Sequence, residues 1–328
     1  MNNSTKIICE IAQGYEGNPE IANLLLEACI KTNADIIKFQ LVYADELSTK
    51  SYQHYNLFKK LEMRLSTWTY LVKKAKKNNL KFYFDIFGNK SLNVARKLKV
   101  NGVKITTADF YNLELIKKSL KYFDEVILCV SGVEKKELIN HLKSIKNNKK
   151  LILMYGFQSE PTQVQDNNLN RIRELKKIFP SNKIGFMDHT HGNSKFSFLV
   201  PILSLGLGID ILEKHITLDH EIELEDYISA LTPKSFKKFV LLFKKLENAL
   251  GAKKFKITNK ELHYKNLASK NLISKKYIKK GNRVKLNDLF FKRLKNNRKI
   301  LQNPNLIIGK IAKRNIEKNK PLKNSYFK

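Results

Sequence analysis

Through most of the chain, short apolar runs alternate with longer stretches in which apolar side chains recur every three or four positions, the signature of strands alternating with amphipathic helices. The runs are Lys6–Glu10 (KIICE), Ala34–Gln40 (ADIIKFQ), Phe82–Asp85, Val103–Ile105, Val126–Val130, Leu151–Tyr155, Ile184–Met187 and Ile211–Leu212. After the first run, Asn18-Pro19-Glu20 supplies an N-cap, a proline at the first helical position and an acid in the first turn. The helix it opens is predicted to bury Ile21, Leu24, Leu25, Ala28 and Cys29. A longer excursion follows the second run, and the next helix is predicted over residues 66–79. Most strand-to-strand spacings lie between 21 and 33 residues, the length of a βα unit, so the sheet is expected to be parallel. Eight units fit either a closed barrel or an open doubly wound sheet. Polar residues at the ends of seven strands favour closure, because a barrel gathers them into one ring at its C-terminal mouth. The expected architecture is α/β: a (β/α)8 TIM barrel over residues 1–250, with a last helix carrying Phe236, Phe239, Val240 and Phe243 and ending by Gly251.

Residues 251–264 lack a sustained period and read as a linker, and from 265 to 328 the pattern becomes short β-like pieces and turns. That second, mostly β domain is small for independent stability and is expected to pack on the barrel or on another subunit.

Composition changes this picture little. With 328 residues and 42% hydrophobic content, a large core is available. The longest nearly apolar run, Phe198 to Leu212, is too short for a bilayer and contains Pro201; the N-terminus has no secretory core, so a cytoplasmic protein that does not enter membranes is expected. Cys9, Cys29 and Cys129 are few and widely spaced and read as buried thiols. The net charge of +32 is uneven: residues 234–328 hold 29 basic and 4 acidic side chains. Only eight of the 62 basic residues are Arg, the usual base-reading cation, so no specific nucleic-acid partner is expected; weak attraction to RNA or anionic membrane at low salt is the plain consequence.

The chemistry concentrates between Ile184 and Ser229. Two apolar runs break directly into Asp188-His189-Thr190-His191-Gly192 and Glu213-Lys214-His215. Imidazoles from two strand ends can converge on one ion, and neighbouring carboxylates can orient the rings or move protons. The alternative is a turn-capping His189 and a hydrogen-bonded core His215.

Eight segments in this order resemble the N-acetylneuraminate (sialic acid) synthase family, whose barrel precedes an antifreeze-like (SAF) domain: EIAQGYEG (10–17), ADIIKFQ (34–40), VKITTAD (103–109), VSG (130–132), GFQSEPT (156–162), DHT (188–190), EKHITLD (213–219), and Asp226 with Ser229. IKKGN (278–282) and LIIGKIAKRNI (306–316) match the small domain. The resemblance implies condensation of phosphoenolpyruvate with an N-acylated amino sugar such as N-acetylmannosamine, giving a nine-carbon 2-keto sugar acid and phosphate. It implies His189 and His215 as ligands of Mn2+ or Mg2+, with Glu213 moving a proton or orienting water. Lys38, Lys104, Thr107, Ser131, Gly132 and Gln158 are implied to lie on the phosphoenolpyruvate side. Glu10, Gln40, Asp109 and Asp226 are implied for the sugar, and Arg293 is implied to reach a neighbouring subunit's site in a domain-swapped homodimer. Read singly, the same residues are also solvated strand-end lysines, turns and caps. The chain departs from the family pattern at Gly14-Tyr15, Gln158, Glu160, Met187, Tyr227 and Leu294, and His191 is an additional candidate ligand. Two other functions stay open: binding of sugar or phosphate without condensation, and RNA or surface binding through the basic tail.

Overall fold

The structure is a computed structural model, and it describes residues 4–146, 148–251, 255–294 and 300–328. Eight parallel strands close into a barrel in sequence order: β1 (Lys6–Ala12), β2 (Ile36–Gln40), β3 (Lys81–Ile86), β4 (Gly102–Ile105), β5 (Glu125–Cys129), β6 (Leu151–Tyr155), β7 (Lys183–Asp188) and β8 (Ile211–His215), with β1 pairing β8. Closure decides between the two sheets that periodicity left open. Helices α1 (Pro19–Ile30), α2 (Ala44–Leu47), α3 (Tyr55–Lys60), α4 (Leu65–Lys77), α5 (Asn89–Lys97), α6 (Leu113–Tyr122), α7 (Lys135–Lys143), α8 (Asn170–Ile178), α9 (Phe196–Gly206) and α10 (Pro233–Glu247) fill the connections and follow the last strand. Among the described residues no helix is long and apolar enough to cross a membrane.

Strand side chains alternate between two environments. Ile7, Cys9, Ile37, Phe82, Phe84, Phe186 and Leu212 join the core between barrel and helices. Ile8, Ile36, Tyr83, Ile127, Met154, Met187 and Ile211 fill the barrel interior. Tyr83 fits because β4 begins with Gly102: a Cβ there would sit 2.7 Å from the Tyr83 ring. One step further along the inward-facing positions, this apolar plug gives way to charge: Glu10, Lys38, Asp85, Lys104, Glu213 and His215, all buried. Parallel register sets Glu10 opposite both Lys38 and His215, and Asp85 opposite Lys104.

Three local expectations need correction. In α1 the Asn18 cap forms, accepting from Glu20 N and Ile21 N, but the buried face is Ala22, Leu25, Leu26, Ala28 and Cys29, while Leu24 is exposed. Both stripes satisfy helical spacing, and packing on the barrel chooses one. Strand β8 runs on through Glu213, Lys214 and His215, whose backbone stays in register with β7 and β1. The segment read as a linker overlaps helix α11 (Asn259–Ala268), where Thr258 and Glu261 form a capping box and no residue is buried. An apolar period cannot announce a helix that has no buried face.

The chain divides into two compact units, Met1–Gly251 and Ala252–Lys328. In the second, β9 (Asn271–Ser274) and β10 (Leu289–Lys292) pair antiparallel. Its own core contains Leu272, Ile278, Val284, Ile307, Leu322 and Phe327.

Candidate active site at the barrel mouth

At the C-terminal mouth the inward-facing charged layer opens into a cavity of about 90 Å³. Lys38 anchors it: its ammonium pairs with Glu10, lies 2.7 Å from Asp85 Oδ1 and 3.6 Å from Glu213 Oε2. Lys104 Nζ lies 2.5 Å from Glu213 Oε1 and 3.7 Å from Asp85 Oδ2. Burial alone would pull both lysines down, but Asp85 and the two glutamates outweigh it and hold both ammonium groups above their ordinary value. Burial pushes the Glu10 carboxyl well up, with Lys38 only partly opposing. Burial pushes Glu213 up too, but Lys104 and Lys38 prevail and it is ionised. Two carboxyl groups in one layer are thus shifted in opposite directions, burial prevailing at Glu10 and the lysines prevailing at Glu213.

Beside this cluster, the His189 and His215 rings stand 5.0 Å apart, centroid to centroid. Burial, reinforced by the lysines, holds His189 down to about 3; burial and then His189 hold His215 well below its ordinary value. Both imidazoles are therefore neutral, and Nδ1 of each is buried with no hydrogen-bond partner among the described residues. Neutral rings with unused ring nitrogens are what a metal ion needs. Glu160, after β6, offers the third ligand: one atom from each of Glu160, His189 and His215 lies within 4.8 Å of the others. This two-histidine, one-carboxylate set fits a divalent cation. Asp226 flanks it, 3.8 Å from His215 Nδ1, in a left-handed conformation (φ 67°). Burial, then the Glu160 carboxyl, pushes Asp226 well above the carboxylate range.

Of the residues singled out from sequence, Glu10, Lys38, Gln40, Lys104, Gln158, His189, Glu213, His215 and Asp226 line this one cavity. Thr107, Asp109, Ser131 and Gly132 do not. Thr107 Oγ1 is 2.9 Å from Cys129 Sγ, and Ser131 Oγ accepts from Gly156 N at 3.2 Å, a hydroxyl layer beside the cavity. Asp109 is turned to its own loop, accepting from Asn112 Nδ2. Arg293, in the second unit, is exposed and donates to Ala268 O at 3.1 Å. The alternative ligand His191 is exposed and its Nδ1 accepts from Asn193 N. Asp188, expected to orient a histidine, faces away from the barrel axis to Lys214.

Three further lining residues, Asp85, Thr106 and Glu160, are expected at the mouth from the sequence but receive no binding or catalytic role there. Asp85 had a strand-end signal, but nothing in its spacing shows that it touches both lysines. Thr106 carries a buried hydroxyl without a partner, whereas its neighbour Thr107 is the one that resembles the family motif. Glu160 is a departure from the family pattern expected on the sugar side of the mouth, and only the structure brings it to the two histidines. Of the other departures, Tyr15 is core, packed 5.4 Å from Trp68 and donating to Gln40 O, and Met187 Sδ lies 3.9 Å from Lys104 Nζ.

Residues 25–255 match the NeuB family, and residues 272–328 match the SAF domain. The chain is 27% identical over 329 residues to the N,N'-diacetyllegionaminic acid synthase of Campylobacter jejuni, covering 95% of this chain and 96% of that one. It is 26% identical over 302 residues to the pseudaminic acid synthase of Helicobacter pylori, covering 87% and 86%. A crystal structure of the N-acetylneuraminic acid (sialic acid) synthetase of Leptospira borgpetersenii with citrate superposes with a TM-score of 0.74 at 26% identity, covering 81% of this chain and 93% of that one. A family match across most of the barrel, a second across the small domain, and a relative aligned over nearly the whole of both chains have one reading: the chain is a member of the NeuB family with a C-terminal SAF domain.

Proposed function

We propose that the protein condenses phosphoenolpyruvate with the open-chain aldehyde of an N-acylated amino sugar, releasing phosphate and a nine-carbon 2-keto sugar acid. One observation carries the proposal: two buried ammonium groups and two neutral, unpartnered histidines converge on the same mouth cavity. A multiply charged phosphoester and a metal-assisted electrophile need those two halves side by side. Lys38 and Lys104 bind the anion, assisted by the unpartnered Thr106 hydroxyl, by Gln158 and by the Thr107, Ser131 and Gly132 layer. A divalent ion, Mn2+ or Mg2+, held by Glu160, His189 and His215, would act as Lewis acid toward the aldehyde oxygen. Glu10, shifted by burial toward its protonated form, donates a proton to the aldehyde oxygen, and Glu213, held toward its ionised form by the lysines, orients or deprotonates the attacking water. Gln40, Asp109 and Asp226 bind sugar hydroxyl or amide groups, and Arg293 comes from the second subunit of a domain-swapped, cytoplasmic homodimer.

The test is an incubation with phosphoenolpyruvate, Mn2+ and a panel of N-acylated hexosamines, read as phosphate release with and without a chelator. Chelator-sensitive release with one sugar supports the proposal and identifies the sugar. A second reading, ligand binding without condensation, is favoured by one feature: three acids already surround the two lysines. Tight binding of either substrate with no release across the panel would select it.

A further inference from the structure

The residues immediately before the two histidines form a second structure of their own. Asp188 and Lys214 lie opposite each other in the β7–β8 register. Because strand side chains alternate, each faces outward where the following histidine faces the mouth. Their side chains pair and are 0% exposed, sealed between the barrel wall and the surrounding layer. Thr190 completes the group: its Oγ1 donates to Asp188 Oδ1 at 2.6 Å, and Lys214 Nζ reaches Thr190 O at 3.3 Å. The group therefore spans the residues on both sides of His189 and the one before His215.

A sealed ion pair is a poor source of stability, since desolvation cancels most of its attraction and apolar replacements are often as stable. Its value lies in direction, because charge-assisted hydrogen bonds fix angles that apolar packing leaves loose. We propose that Asp188, Lys214 and Thr190 are positioning residues that set the separation and aim of His189 and His215 so that both rings meet one metal ion. This rests on the reading of the histidines as metal ligands. None of the three touches the ion or a substrate. Other contacts hold the same loop ends, Ser229 Oγ donating to His189 O at 2.8 Å and Leu231 N to His215 O at 3.0 Å, so the backbone is anchored even without the pair.

The experiment titrates Mn2+ into full-length apo protein, without substrates, by calorimetry, and records thermal unfolding of the same samples. Wild type is measured first: no Mn2+ binding there rejects the ligand reading itself. Given wild-type binding, the double variant Asp188→Leu/Lys214→Met is expected to keep its apo melting temperature while its Mn2+ Kd rises about 10- to 100-fold, the range for lost outer-shell support. The Co2+ visible spectrum of the variant should change band shape as the ligand geometry relaxes. Thr190→Val removes one bond and is expected to raise Kd several-fold, which keeps the test decisive if the double variant does not fold. Wild-type Kd and an unchanged Co2+ spectrum in a folded variant would overturn the proposal.

Discussion

Glu10 and Glu213 touch the same lysine but respond differently to the same substitution. Burial shifts Glu10 toward its protonated form, which Glu10→Gln imitates in charge and shape. Its melting temperature should stay near wild type while kcat falls, if its proton is delivered in the reaction. Glu213 is ionised and faces both ammonium groups, so Glu213→Gln should lower the melting temperature as well. Lys104 requires a correction. Read singly it is also a solvated strand-end lysine, but its side chain is 3% exposed and paired with Glu213 and Asp85. Lys104→Met leaves those acids uncompensated and should cost about 3–5 kcal/mol in a urea titration. A loss under about 1 kcal/mol would mean that water reaches the cluster and screens it.

Among the elements, the loop after β7 is held by a close approach. Gly192 N donates to Ile228 O at 2.8 Å, and a Cβ on Gly192 would fall 1.8 Å from Ala230 O, a backbone atom that cannot turn aside. Gly192→Ala should therefore part the loops after β7 and β8, lowering the melting temperature and weakening Mn2+ binding together. At the opposite end of the barrel, α10 clasps the start of β1. Glu247 accepts from Thr5 N at 2.6 Å and Ser4 Oγ at 2.8 Å, and Lys244 Nζ lies 3.0 Å from Asp35 Oδ2, which also accepts from Ile7 N. Burial pushes both carboxyls up, but these partners outweigh it, so Asp35 and Glu247 are held below their ordinary values of 3.8 and 4.5. A lowered folded-state value means that the unfolded chain binds more protons. The clasp's contribution is thus complete above those ordinary values and is lost as pH falls through the lowered ones. Lys244→Met should reduce the urea midpoint at about pH 7, and the difference from wild type should shrink at about pH 3.

For the whole molecule, each unit has its own core, so truncation after Gly251 should leave a folded barrel that still binds Mn2+. The proposed exchange of small domains between subunits adds a sharper expectation. Residues 265–328 carry 20 basic and 2 acidic side chains, and at the mouth the acids Glu10, Asp85, Glu160, Glu213 and Asp226 outnumber Lys38 and Lys104. Opposite charge favours approach but is screened over about 8 Å at physiological salt, so a specific contact such as Arg293 is required for register. Mixing inactive Arg293→Ala with inactive His215→Ala protein should restore activity, because a mixed dimer contains one intact shared site. Confirmed subunit exchange without recovery would mean that each chain serves itself.

The amino-acid sequence by itself determined the periodic skeleton. Apolar runs at βα spacing marked the eight strands, Asn18-Pro19-Glu20 marked a helix start, and the Phe236, Phe239, Val240 and Phe243 stripe marked the face that α10 buries. These signals are local, since each needs only the alternation of solvent and core along one element. It also marked His189, His215, Lys38, Lys104 and Glu213, because chemical side chains at strand ends have few structural uses. Only the tertiary structure decided how those groups pair. Asp85 bridges two lysines, Glu160 joins two histidines from another loop, and Asp188 turns its back on the histidine it precedes. Each of these follows from closing the barrel, which brings side chains distant in sequence within a few ångströms and seals them from water. Burial then shifts their proton affinities, holding His189 down to about 3 and pushing Glu10 up, and no spacing along a chain encodes burial.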